Sequence, residues 1–387
     1  MTTETADILV VGLGGLGSAA AYHLAARGNR VIGLERFSPA HARGASHGES
    51  RGVWKAYFMG AGYVPLLDRA YELWDQLGEI RGTTFLHRTG GVCVGPADGA
   101  LVPAALTSAR ETGLEFEYLD ADEIRRRFPQ FRPAASDVAV WDPSSGYVRP
   151  EQVVEAHLDL ARQHGADLRF DQQVLSCEAT TSGVRVRTAT GVFEADRLIV
   201  AAGAWAPELL PELRPHINVV RKVMLWFDPT CPTEDFYPGR QPYWIWDGGD
   251  GTIGYGHPAV DGPSGGVKAG IHSGGDPADP NRLDRLVTER DVEATRAFLA
   301  DRIPTLAGRY LRSRVCMYDN SPDLGFIIGP SAASDRITIA AGTSGHAFKF
   351  APALGEALAE LATKGGTTHD ISLFDPRRLA GLSGAAA

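Results

Sequence analysis

Residues 8–35 read I-L-V-V-G-L-G-G-L-G-S-A-A-A-Y-H-L-A-A-R-G-N-R-V-I-G-L-E. Residues 8–11 are a short apolar run of strand length, and residues 18–27 are an alanine-rich helix candidate stopped by Gly28. Residues 30–34 are a second apolar strand, and Glu35 follows 18 residues after Gly17. Strand, glycine turn, helix, strand and acid in this order form the dinucleotide-binding βαβ fingerprint in its expected context. Glycine lets backbone amides approach a pyrophosphate, the helix N-terminus favours its charge, and the carboxylate accepts hydrogen bonds from a ribose hydroxyl. Gly12, Gly14, Gly15, Gly17 and Glu35 are therefore candidate cofactor ligands.

Composition bounds the rest. A chain of 387 residues exceeds what one core usually supports, so two domains interleaved in sequence are expected. Hydrophobic residues make up 44% and charged residues 22%, as in a globular enzyme. A net charge of -9 offers no electrostatic footprint for nucleic acid or an anionic membrane. The cysteines at 93, 177, 231 and 316 form no C-x-x-C pair, so neither a metal site nor a disulfide framework is expected. No cationic leader precedes Asp7 and no run of ~20 apolar residues occurs, so the expectation is a soluble cytoplasmic protein, monomeric or a weak homodimer.

Residues 38–62, with S-H-G-E-S-R, read as a long functional loop, and residues 63–77 return to helical spacing. Residues 151–163 are another amphipathic helix candidate, and A-D-R-L-I-V-A-A-G at 195–203 reads as a buried strand rejoining the first parallel sheet. Residues 217–315 suit an antiparallel sheet carrying a substrate pocket, within which the Gly/Pro-rich stretch 258–282 reads as a mobile loop. The fold class expected is α/β: a discontinuous Rossmann-type cofactor domain (residues 1–83, 150–216 and 316–387) interleaved with an α+β substrate domain (84–149 and 217–315) built on a mainly antiparallel sheet.

A second glycine-rich turn, G-T-S-G-H-A-F-K-F at 342–350, lies at the far end of the chain, between an apolar run at 337–341 and an apolar helix candidate at 352–362. A nicotinamide enzyme has no need of it. FAD is longer, and a distant helix N-terminus could stabilise the negative charge that its ring acquires on reduction.

Seven segments carry a family resemblance: V-V-G-L-G-G-L-G, S-H-G-E-S-R, Y-V-P-L at 63, A-D-R-L-I-V-A-A-G-A-W, G-Y-G-H-P, V-C-M-Y-D-N-S-P-D and G-T-S-G-H-A-F-K-F. In this order, over essentially the whole chain, they resemble the monomeric sarcosine oxidase and N-methyltryptophan oxidase family of FAD-dependent amine oxidases, in the wider D-amino-acid-oxidase-like fold. D-N-S-P-D resembles the N-methyltryptophan branch.

The resemblance implies that Cys316 forms a thioether to the 8α-methyl of FAD, and that Tyr318 faces the substrate. It implies that Lys268 sits by the flavin and promotes dioxygen reduction, since a fixed cation stabilises an anion formed in a poorly solvated site. Tyr255 and His272 match pocket positions, and His47 and Arg51 match positions against the other flavin face. Arg36, Ser46, Val174, Gly203, Gly342, Gly345 and His346 would join Arg51 and Lys349 in contacting the cofactor. Lys349 also matches one of two cations that hold a substrate carboxylate in sarcosine-type enzymes.

The second cation is missing. Trp54, followed by Lys55, stands where relatives carry an arginine, and an indole cannot replace a bidentate guanidinium. Either Lys349 binds a carboxylate alone, or Lys55 moves in, or the substrate has no free carboxylate. Trp244 and Trp246, in a stretch that lines the pocket in relatives, favour a bulky or aromatic amine. The expected activity is oxidation of a secondary, N-methylated, or primary amine to an imine and then a carbonyl, with release of hydrogen peroxide and no metal. The alternatives are a flavin-dependent dehydrogenase or desaturase acting on a C-C or C-N bond in small-molecule biosynthesis, a nicotinamide-dependent dehydrogenase, or a flavin-binding subunit without turnover.

Overall fold

The computed structural model describes residues 3–382. Its first sheet has a parallel centre formed by the strands Ser334–Ala341, Val192–Val200, Thr3–Val11, Val31–Leu34 and Asp167–Arg169. Ile8, Leu9, Val10 and Val11 are all buried, as a strand covered on both faces requires. The strand Val192–Val200 does rejoin this sheet, and its two halves pair differently along one edge. Leu198 to Val200 run parallel to Ile337 to Ile339, whereas Val192 to Ala195 pair antiparallel with the strand Val184–Thr188.

Three helices, Gly15–Ala26, Pro150–Gln163 and Ala351–Lys364, pack together beside this sheet. Small residues allow the close approach: a Cβ added to Gly355 would lie 2.4 Å from that of Ala19, which is fully buried. The first helix starts at Gly15, three residues before the sequence expectation, because glycine's low helix propensity hides its first turn. The helix expected at 63–77 runs as Val64–Arg81 to a left-handed cap at Gly82.

The second sheet is mainly antiparallel, ordered Asp276–Pro277, Asn218–Asp228, Val267–Ile271, Ile253–Gly256, Tyr243–Asp247, Gly91–Pro96, Asp137–Asp142 and Glu117–Leu119. The long strand Arg309–Asn320 pairs with Asn218–Asp228 over its whole length. One expectation is corrected here. The stretch 258–282 is not simply a mobile loop: it contains the buried strand Val267–Ile271, held between Ile253–Gly256 and Asn218–Asp228. Its flanking glycines mask the strand, while its pairing on both edges satisfies the backbone. Among the described residues no helix is long and apolar enough to cross a membrane, and no cluster of His, Cys, Asp or Glu is placed to hold a metal.

Candidate active site

A cleft of about 1160 Å³ opens at the carboxyl ends of the strands Thr3–Val11 and Val31–Leu34, where open α/β sheets bind ligands. Gly12, Gly14 and Gly15 form its floor, with Glu35, Arg36, Val174 and Gly203 at its sides. Glu35 is held at this wall: its Oε2 accepts from Leu13 N at 2.8 Å and its Oε1 from Phe37 N at 3.0 Å. Gly15 N donates to Ser46 Oγ at 2.9 Å, and a Cβ on Gly15 would come within 2.8 Å of the Phe348 ring. Gly17 lies behind the floor, where a Cβ would meet Gly12 O at 1.8 Å. An open first helical turn, a bare glycine floor and an anchored carboxylate fit the ADP half of FAD.

The loop S-H-G-E-S-R is held by two acids that the sequence reading missed. Glu151, in the first turn of Pro150–Gln163, accepts from Gly48 N at 2.6 Å and Glu49 N at 3.1 Å. Glu49 in turn makes a bidentate pair with Arg312 at 2.5 and 2.7 Å. Lys268 then reaches this loop from the second sheet, and its Nζ donates to Gly48 O at 2.9 Å and Ser50 O at 2.5 Å. Burial, with Arg51 nearby, holds its pKa well below that of an ordinary lysine. Arg51 donates to Ala45 O at 2.8 Å and to Met224 Sδ at 3.1 Å. His47 is buried, and burial first, then Arg51, lowers its pKa to about 3.

A second cavity is lined by Arg51, Trp54, Tyr255, His272, Cys316, Tyr318, Gly345, His346 and Lys349 among others, and among the described residues no carboxylate lines it. The strand Arg309–Asn320 joins the two cavities by simple alternation: Cys316 and Tyr318 face this one, whereas Met317 and Asp319 face the dinucleotide cleft. Burial pushes the Cys316 thiol up, opposed by the charges of Arg51, Lys222, Lys268 and Arg285. His272 Nδ1 lies 3.2 Å from the Tyr318 hydroxyl. Lys349 Nζ donates to His346 O at 2.8 Å and lies 4.9 Å from the centre of the Tyr57 ring, and burial lowers its pKa to about 7. Tyr57 OH and His346 Nδ1 are 2.6 Å apart, which braces the same corner.

Most of the expected residues therefore converge, with exceptions. His47, Lys268 and Gly342 line neither cavity. Trp244 and Trp246 are corrected: they point away from the pocket into a core with Phe131 and Phe298, and their strand neighbours Tyr243 and Ile245 line it. Period-two alternation makes this choice, and a run of four apolar residues, Y-W-I-W, carries no sign of which face is inward. Lys55 does not line the pocket either, because its Nζ pairs with Asp68 at 2.6 Å and lies over the Tyr71 ring. Trp54 does line it, 1% exposed. Beyond the acids, the sequence reading also missed Met224, Tyr243 and Asn281, which bridges Arg36 and Trp205 beside the cleft. Only spatial convergence reveals these.

Residues 7–361 match the model of the FAD dependent oxidoreductase family. A monomeric sarcosine oxidase from Streptomyces avermitilis is 45% identical over 98% of this chain and 99% of that protein. An N-methyl-L-tryptophan oxidase from Salmonella dublin is 33% identical over 95% of this chain and 97% of its own. Among solved structures, NikD, described as an unusual amino acid oxidase essential for nikkomycin biosynthesis, superposes with a TM-score of 0.83 at 25% identity, covering 96% of this chain and 98% of that one.

Proposed function

The chain belongs to the FAD-dependent oxidoreductase family and is an FAD-dependent amine oxidoreductase, and from that premise we propose that it oxidises a secondary, N-methylated amino acid or related amine in the second cavity. Bound FAD would supply the two-electron acceptor for oxidation of the C-N bond to an imine, which water hydrolyses, with dioxygen as the final acceptor reduced to hydrogen peroxide. The observation that carries the reading is a cavity shared by one buried thiol and one buried lysine, walled by aromatic rings and, among the described residues, free of carboxylates.

In this reading Cys316 tethers the cofactor by a thioether, and the charges of Arg51, Lys222, Lys268 and Arg285 oppose the burial that raises the pKa of its thiol. Lys349 takes up a substrate carboxylate as a single ammonium, with Trp54 supplying an apolar wall where relatives place a second cation. Without a carboxylate base on the wall, the site selects the neutral amine from solution. Lys268, whose Nζ donates to Gly48 O and Ser50 O, is the residue that the family resemblance assigns to dioxygen reduction, and Arg51 supplies a cation at the cavity itself. Glu35, the glycine floor, Arg36, Ser46, Val174 and Gly203 hold the ADP half, and Gly345 and His346 border the ring end. The division into residues 1–83, 150–216 and 316–387 for cofactor and 84–149 and 217–315 for substrate belongs to the same proposal.

The test is anaerobic mixing of the holoenzyme with sarcosine, larger N-methyl amino acids, their esters and aromatic amines, following bleaching of the flavin. N-methyl amino acids are expected to bleach it and, in air, to give one peroxide per amine. No bleaching by any secondary amine would sink the proposal.

A further inference from the structure

Lys222 was not singled out by any sequence motif, yet it is 6% exposed and has no acidic partner in hydrogen-bond reach. Its ammonium donates to three consecutive backbone carbonyls, those of His272 at 3.0 Å, Ser273 at 2.8 Å and Gly274 at 3.1 Å. All three of its N-H bonds are thus used, each on a carbonyl that would otherwise lack this donor. Gly274 at φ +61° and Gly275 at φ +130° take left-handed conformations, and these curl the chain around the ammonium. Ser273 Oγ also accepts from Ile253 N at 2.9 Å, so the turn is fixed from its other side.

The position of the clasp matters more than its strength. Lys222 sits directly across from Cys316 in the antiparallel register, two residues along its strand from the partner of Tyr318, and its Nζ lies 5.3 Å from the Tyr318 ring centre. The first residue it holds is His272, whose Nδ1 meets the Tyr318 hydroxyl. We propose that Lys222 is a positioning residue of the amine pocket: its three-carbonyl clasp fixes the turn that presents His272 and Tyr318 to the substrate. The proposal rests on the reading of this cavity as the amine site.

Burial is the first cause of the low pKa of His272, about 3, followed by Lys222 and then Lys349, with Tyr318 as its hydrogen-bond partner and Tyr255 and His346 on the same wall. Neutralising Lys222 removes a term that lowers the pKa, so protonation of His272 moves to higher pH. A protonated imidazole there opposes a substrate that carries partial positive charge as it is oxidised.

Lys222→Met and Lys222→Arg separate the clasp from the charge, since arginine keeps the charge but cannot fan three donors from a single nitrogen. For both variants KM for the best N-methyl amino acid is expected to rise about tenfold with kcat changed less than about threefold. The acid limb of kcat/KM is expected to move to higher pH for Lys222→Met alone. Reoxidation of the reduced holoenzyme by dioxygen is expected to keep its rate, because Lys268 and its partners share no hydrogen bond with the clasp. Amide hydrogen exchange, which needs no turnover, is expected to accelerate at residues 253 and 272–276 in Lys222→Met. Unchanged exchange together with an unchanged KM would overturn the proposal. If Lys222→Met does not fold, Lys222→Gln carries the same expectations. If no amine bleaches the parent flavin, the functional reading fails while the exchange result still judges the clasp.

Discussion

Cys316 and Met317 are adjacent on one strand and face different cavities, the thiol into the second cavity and the thioether into the dinucleotide cleft. A single strand wall thereby separates the space assigned to substrate and ring from the space assigned to the ADP half. The alternation of the pleat makes Cys316 the tethering candidate and rules out its neighbours.

Acid-precipitated protein is expected to stay yellow, and Cys316→Ala to lose that colour to the supernatant. Yellow supernatant from the parent protein would contradict the tether.

Lys268→Met is expected to slow reoxidation of the reduced enzyme by a factor of about 10² to 10³, with anaerobic reduction by amine affected far less. Stopped-flow mixing with oxygenated buffer measures this. Removing the ammonium also frees Gly48 O and Ser50 O, so the melting temperature should be followed alongside.

Trp54→Arg is expected to lower KM for sarcosine by about tenfold and to raise it for larger amines, by adding a second cation and withdrawing an apolar wall. Equal changes for small and large substrates would argue against the role given to Trp54.

Lys349 has its pKa lowered to about 7 by burial, so the free enzyme loses this ammonium as pH rises through about 7. Binding of benzoate, read from the flavin difference spectrum, is therefore expected to be strongest below about pH 7 and to weaken above it. Lys349→Gln should flatten the dependence.

Trp246→Ala is expected to cost about 3–5 kcal/mol of stability, measured by denaturant unfolding, with substrate preference unchanged. A change in preference at unchanged stability would return Trp246 to the pocket.

The nucleotide end was the most legible part because its function is local. A strand, a bare turn and a helix N-terminus are contiguous, and residues 8–35 carry both the fold and its purpose. The pocket end was legible only through motifs already associated with the family, and it failed where no motif existed. Trp244 and Trp246 misled because four consecutive apolar residues conceal which face is inward. Lys222, Glu151 and Asn281 gave no signal, because each acts on backbone or side chains tens to hundreds of residues away.

The amino-acid order by itself determined a dinucleotide-binding βαβ unit at one end and a glycine-rich turn at the other. Tertiary structure alone decided that Lys55 is held by Asp68 and that Lys349 is the buried lysine lining the pocket. It also decided that Lys268 belongs to a strand and that Lys222 grips the turn bearing His272. The physical reason is the range of the interactions. Propensity and turn chemistry act within a few residues, whereas burial and the partner of a charge depend on chain brought together from elsewhere.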